Sequence, residues 1–297
     1  MKQVTSLMHS ACLICDLSSL VYQMPYHMEK LINAEGVPTG HTFSFLRSLP
    51  KVVNIFKPSV VIFTLDAGYS NRDKIDPEYK ANRAKKKTNI KVADVLPIIK
   101  SIPCIYLRKQ GYEADDLSYT AMLALKNSRL FTNIIVLAKD YDMAYVLRYY
   151  PKVKHFMTHD WELTPAGLHE RIGVLPNRLP LFKAIFGDSS DNIKGLKLGR
   201  NKAIMLKNLR DPEISNSDIL NMLTEDQLDK VYTNLKVVRL QKLSDFEISL
   251  GMPNIKGLDD YLNYLSVRTI DAKDFIKGFP VDVPKMRGAL ATLKKVQ

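Results

Sequence analysis

Val60-Val-Ile-Phe-Thr-Leu-Asp66 decides the fold: six apolar or β-branched residues run without a break into a carboxylate. A strand wet on one face would alternate polar and apolar residues. This one does not, so both of its faces must be covered, as in a parallel sheet. The same form recurs outward from it, at residues 12–16 before it and at 103–107, 134–138 and 152–157 after it. Stretches of helical period separate these runs, at residues 41–56, 92–100, 114–126 and 141–147. Strands alternating with helices predict an α/β fold, with a central, mostly parallel sheet flanked by helices. From Pro176 onward the strand signal stops and the remainder reads as helical, divided by polar breaks at 207–217 and 251–257.

The 297 residues can bury a full core, as one large domain or as a catalytic domain with a smaller helical one. A hydrophobic fraction of 46% with 25% charged residues is that of an ordinary soluble globule. No apolar run approaches the roughly 18 residues that span a bilayer, and Asp16 interrupts the apolar patch around Leu13 and Ile14 that a signal peptide would need. A cytoplasmic protein with no membrane partner is expected. Cys12 and Cys15 have metal-site spacing, yet residues three apart on a strand face opposite sides, and no second cysteine pair completes a zinc site. All three cysteines read as small core residues. The net charge of +12 points to a polyanionic partner, most commonly nucleic acid.

The charge is concentrated. Residues 71–91 hold eight bases (Arg72, Lys74, Lys80, Arg83, Lys85, Lys86, Lys87 and Lys91) against three acids, between the second strand and the next helix. A doubly wound fold needs only a short loop there, so a long basic insertion reads as functional. The acids are placed just as unevenly. Asp16 and Asp66 end the first two apolar runs, Glu113, Asp115 and Asp116 follow the third, and Asp140 and Asp142 follow the fourth. One acid after a strand is as easily a helix cap as a ligand. Four consecutive strand ends carrying acids converge on the carboxyl edge of a parallel sheet, where ligand sites lie. Carboxylates so crowded require neutralising cations, and an oxygen-only set suits magnesium or manganese. Asp188 and Asp191 add a further pair in Gly187-Asp-Ser-Ser-Asp-Asn-Ile193. After them a glycine-bounded turn, Gly195-Leu-Lys-Leu-Gly199, opens a helix, with six bases and no acid from Lys194 to Arg210. Such a turn presents backbone amides to phosphates without reading bases.

In Tyr79-Lys-Ala-Asn-Arg83, Glu113-Ala-Asp-Asp116 and Gly187-Asp-Ser-Ser-Asp-Asn-Ile193 the chain resembles the flap endonuclease/5′-3′ exonuclease family, over about residues 16–206. The resemblance implies a PIN-like domain over residues 1–175, with a basic helical arch at about 68–95. A helical DNA-binding region would follow over 176–297, containing a helix-three-turn-helix at about 187–209. It implies metal-dependent hydrolysis of DNA at or near free 5′ ends by two Mg²⁺ or Mn²⁺ ions. Asp16, Asp66, Glu113, Asp115 and Asp116 would hold the first ion, and Asp140, Asp142, Asp188 and Asp191 the second. Lys80, Arg83 and Arg72 would serve the scissile phosphate. Tyr79, Lys85, Lys86, Lys87, Lys194, Gly195, Lys197, Gly199, Arg200 and Lys202 would bind DNA, with K⁺ at the helix-three-turn-helix. The implied partners are 5′ flaps, 5′ ends and branched or nicked duplexes. The implied state is a monomer in the cytoplasm, a host cell's if the chain is phage-encoded. Two departures stand out: Ala138-Lys139 precede Asp140 where relatives have glycine, and Lys197 takes the place of the hairpin's central glycine. The rival readings are a PIN-type ribonuclease on single-stranded RNA and a DNA-binding protein with a decayed site. Neither accounts for both the 187–202 turn and the full set of acids.

Overall fold

The computed structural model describes residues 10–22, 28, 30–83, 92–148 and 151–297. Seven strands form one sheet: β1 (Ala11–Asp16), β2 (Val60–Leu65), β3 (Cys104–Arg108), β4 (Asn133–Leu137), β5 (Val153–Thr158), β6 (Trp161–Leu163) and, far along the chain, the strand Glu247–Gly251. Between β6 and that last strand a small antiparallel ribbon forms from β7 (Gly187–Asp188) and β8 (Ile193–Lys194), so Glu247–Gly251 is β9. The sheet order is β6-β5-β4-β1-β2-β3-β9. The five central strands are parallel, while β6 and β9 close the edges antiparallel. The chain runs outward from β1 through β2 to β3, then returns to β4 on the other side of β1. The crossover reverses beside β1, and the carboxyl end of that strand is where an open α/β sheet forms its cleft.

The described residues also form twelve α-helices: α1 (Leu17–Val21), α2 (Gly40–Phe56), α3 (Leu96–Lys100), α4 (Ala114–Leu125), α5 (Pro165–Ile172), α6 (Leu179–Phe186), α7 (Lys202–Arg210), α8 (Asn216–Asn221), α9 (Glu225–Val238), α10 (Ile255–Tyr264), α11 (Ala272–Lys277) and α12 (Val283–Lys294). Successive residues of β1 feed opposite cores. Leu13 and Cys15 pack with Phe45 and Leu49 of α2, Ile98 and Ile99 of α3 and Leu258 of α10. Cys12 and Ile14 pack with Leu117 and Met122 of α4 and Leu293 of α12. The cysteines therefore lie on opposite faces, fully buried, and cannot share a metal. A third core, built from Leu168, Leu179, Ala184, Leu209, Ile219, Val231 and Leu235, unites α5 to α9. Tyr79 from the basic segment joins this third core.

Three features differ from the sequence reading. The tail after Pro176 is not free of strands, because β9 pairs with β3 and α10 to α12 pack back on the sheet cores. Residues 92–100 form a 3₁₀ turn (Val92–Val95) before α3, because Pro97 belongs in a first helical turn and cannot continue a ladder through its missing N–H. Residues Tyr141–Arg148 are 3₁₀ rather than α-helical. There the Asp142 N–H is taken by the Asp140 side chain at 2.8 Å, closing a local turn.

Candidate active site

At the carboxyl edge of β1 and β2 the chain opens into a cleft of ≈ 480 Å³ lined by Asp16, Asp66, Lys80, Glu113, Asp115 and Asp140, among others. Asp16 ends β1 and caps α1, accepting the Ser18 N–H at 2.9 Å and the Ser19 hydroxyl at 2.7 Å. Asp66, one residue past β2, accepts the Ala114 N–H at 2.9 Å and the Ser18 hydroxyl. Ser18 and the start of α4 thus fix the two carboxylates of neighbouring strands. Burial, then the charge of Asp66, pushes the Asp16 carboxyl up to about 7. Burial, then the charge of Asp116, holds the Asp115 carboxyl well above the ordinary range. Carboxyls in this state are short of positive charge, which is the condition a divalent cation relieves.

Lys80 stands at the cleft wall. Its Nζ lies 2.8 Å from Glu113 Oε1, 3.9 Å from Asp191 Oδ1 and 4.8 Å from the centre of the Tyr79 ring. The Tyr79 hydroxyl donates to Glu113 at 2.9 Å and to Asp191 at 3.4 Å. Burial would raise the Glu113 carboxyl, but Lys80 and Arg72 outweigh it and hold that carboxyl below its usual value.

Across from Glu113 lies a second set. Oxygens of Asp142, Asp188 and Asp191 approach within 4.8 Å of one another, the one such trio among the described residues. Lys183 of α6 bridges two of them, bonding Asp142 and, at 2.7 Å, Asp188. Burial and the charge of Asp140 push the Asp142 carboxyl up to about 7 against the pull of Lys183. Burial acts the same way on Asp188, but Lys183 and the Ser190 donors overcome it and bring that carboxyl down to about 2. An oxygen-only trio of this span fits a hard divalent cation.

Several expected residues occupy other places. Arg72 is 3% exposed and Asp116 1% exposed. Arg72 Nη1 donates to Glu113 at 2.6 Å and Nη2 to Asp116 at 2.7 Å, while the Gln241 N–H also donates to Asp116 at 2.8 Å. Arg72 is therefore a buried counter-ion behind the cleft rather than a group facing a phosphate, and Asp116 points at it rather than into the cleft. Tyr79 is buried and turned onto the carboxylates, not onto a surface where DNA could lie. Asp140, expected with the second set, lines the first cleft beside Asp16 while its charge acts on Asp142 and Lys183, so it stands between the two sets. The Arg83 side chain and Lys85, Lys86 and Lys87 lie outside the described residues. Lys194, Lys197, Gly199, Arg200 and Lys202 form an exposed row from β8 into α7. Gly195 closes that hairpin at its base, where a Cβ would come within 2.4 Å of the Phe186 backbone. Sequence reasoning missed Lys183, Ser18 and Ser19. The serines carry a cue in Asp16-Leu-Ser-Ser19, an acid followed by hydroxyls at cap spacing.

The raised Asp16 carboxyl gives a pH prediction. Its folded value lies above the ordinary one near 3.9, so its contribution to stability is present in acid and is lost as pH rises through about 7. Asp16→Asn removes that loss. In EDTA, the Tm of the variant relative to wild type should climb by several degrees between pH 5 and pH 8. A pH-independent difference would contradict the shift.

A family model described as "5′-3′ exonuclease, N-terminal resolvase-like domain" matches residues 11–173. A 5′-3′ exonuclease of Aquifex aeolicus is 28% identical over 276 residues, covering 86% of this chain and 92% of that one. A bacteriophage T5 flap endonuclease, solved as a pseudo-enzyme-product complex with DNA and metal ions, shares the fold with a TM-score of 0.60. That match is at 18% identity and covers 96% and 99% of the two chains. Flap endonuclease-1 from Methanococcus jannaschii shares it with a TM-score of 0.54 at 12% identity, covering 98% and 93%.

Proposed function

The chain belongs to the 5′-3′ exonuclease family, and from that premise we propose a divalent-metal-dependent 5′ nuclease that hydrolyses DNA phosphodiester bonds at or near free 5′ ends. The observation that carries the reading is the pair of carboxylate sets, one at the ends of β1 and β2 and one at Asp142, Asp188 and Asp191, with Lys80 between them. Asp16, Asp66, Glu113, Asp115 and Asp140 are the groups available to a first cation, and Asp142, Asp188 and Asp191 those available to a second. Mg²⁺ and Mn²⁺ match these donors. Bound there, such ions would supply the acidity that activates water and the charge that neutralises a departing oxygen.

The chain's own residues do the rest. Ser18, Ser19 and the Ala114 N–H hold Asp16 and Asp66 in fixed rotamers, so cation and phosphate meet a preformed site. Lys80, part-buried and anchored by Glu113, brings a desolvated ammonium to the cleft wall, where it offsets charge building on the phosphate. Lys183 offsets part of the negative charge of the second set, whose carboxylates would hold the second cation. The exposed row from Lys194 to Lys202 grips the duplex backbone through charge and, beyond Gly195, through backbone amides. Lys197, in the place of the hairpin's central glycine, puts a positive charge at this turn, which works against the K⁺ that the resemblance implies there and favours a phosphate. The catalytic unit comprises the sheet and its flanking helices, including β9 and α10 to α12. The DNA-gripping unit is the third core, α5 to α9. The enzyme acts as a monomer on flaps, nicks and branched duplexes. No helix among the described residues is long and apolar enough to cross a membrane.

The test uses a 5′-flap duplex labelled at either end, with Mn²⁺ or Mg²⁺, beside the same flap blocked at its 5′ end and a matched RNA. Cleavage of the open DNA flap, slower on the blocked one and absent on RNA, supports the reading. Cleavage of RNA alone overturns it. Within this reading, Lys80→Ala should slow single-turnover cleavage by about 10²-fold, the scale of losing one transition-state donor. An unchanged rate would remove Lys80 from the chemistry.

A further inference from the structure

Two turns more than a hundred residues apart are tied together beside the cleft. The Lys80 N–H donates to the Asp191 carbonyl at 2.9 Å. The Asn192 side-chain amide donates to the Glu78 carbonyl at 2.7 Å, and that of Asn82 to the Ser189 carbonyl at 3.1 Å. On the outer side, Lys194 pairs with Glu78. The two central residues both have left-handed backbones, Lys80 at φ 52° and Asn192 at φ 58°. Asparagine visits that region readily; lysine does not. A lysine persists there only where its surroundings hold it. Here its own N–H is held on Asp191, and the carbonyl two residues before it is held by Asn192. The left-handed turn is what sets the direction in which the Lys80 side chain leaves the backbone, toward Glu113 and Asp191.

We propose that Asn192 is a positioning residue: its amide, through the Glu78 carbonyl, holds the turn that delivers the Lys80 ammonium between the two carboxylate sets. The motif Asp-Asn-Ile193 thereby joins the basic segment to the second set, and an asparagine is needed for its amide as well as for its tolerance of positive φ. The effect on cleavage rests on the reading of Lys80 given above; the effect on the turn does not.

Asn192→Gly separates the two properties, because glycine accepts positive φ at no steric cost but has no amide. The amides of Lys80 and Ala81 should exchange with deuterium at least about 10-fold faster in this variant, the scale of one lost hydrogen bond of roughly 1.4 kcal/mol. Single-turnover cleavage of the 5′-flap duplex with Mn²⁺ should slow about 10-fold, as expected when a reacting group is displaced. Flap affinity in EDTA should stay near wild type, and Tm should fall by no more than about 2–4 °C, the scale of that one bond. On a Lys80→Ala background the same change should cost less than about twofold, since Asn192 acts through Lys80. Unchanged amide exchange, or an equal loss of rate on both backgrounds, would overturn the proposal. If Lys80→Ala itself cut at the wild-type rate, the functional reading of Lys80 would fall, and the exchange rates alone would still decide whether Asn192 holds the turn.

Discussion

Asp16→Asn is expected to cut a 5′-flap duplex at least about 10³-fold more slowly than wild type while binding it in EDTA with the same Kd. The substitution keeps the shape of the side chain and the oxygen that accepts the Ser18 N–H, replaces the oxygen that accepts the Ser19 hydroxyl by an amide nitrogen, and removes the charge. A cation bound at this cleft contributes several kcal/mol to transition-state stabilisation, and each 1.36 kcal/mol is a factor of ten in rate. The same variant should be more stable than wild type above pH 7 without metal, because the Asp16 carboxylate is costly there. A dead enzyme that is more stable cannot be explained by misfolding; sites of this kind trade stability for activity. Cleavage within tenfold of wild type would end the metal assignment at Asp16.

Arg72→Met should have the largest effect on folding, a loss of about 3–5 kcal/mol, the usual cost of removing one partner from a buried ion pair. Arg72 is enclosed, and its two amino groups are shared between Glu113 and Asp116. Methionine fills much of its volume but leaves the Asp116 carboxylate without its cation, held by the Gln241 N–H. Lys80 and Tyr79 still hold Glu113, so the damage falls mainly on Asp116. Adding Asp116→Asn to Arg72→Met should recover part of the loss, because the uncompensated charge is gone. Urea unfolding at neutral pH measures both. A loss below about 1 kcal/mol for Arg72→Met would show that the pair is solvated and not structural.

The five parallel strands were legible within a residue or two, because central strands covered on both faces must be apolar throughout, and Val60–Leu65 is buried at every position. β9 was not legible. As an edge strand it has no clean alternation, with Glu247 and Leu250 exposed and only Gly251 buried, and its pairing with β3 is set by residues about 140 positions earlier. The acids at the strand ends were legible for the same topological reason as the strands. Their grouping was not, because Asp140, just before the 3₁₀ turn that carries Asp142, lines the first cleft while its charge still acts on the second set. The resemblance and its place in the basic segment made Arg72 look like a phosphate contact. Whether a base faces solvent or carboxylates depends on partners distant in sequence, here Glu113 and Asp116, which no local pattern reveals. Lys183 was hidden likewise: on a helix as apolar as Leu179–Phe186, a single lysine reads as a solvated position.

The claim on which the rest depends is that divalent cations occupy these two carboxylate sets. Crystals soaked in Mn²⁺ and measured at the manganese absorption edge test it most directly. Anomalous peaks beside Asp16, Asp66 and Asp115 and beside Asp142, Asp188 and Asp191 are predicted, the first lost in Asp16→Asn. Crystals of Mn²⁺-active protein with no peak at either set would contradict the account.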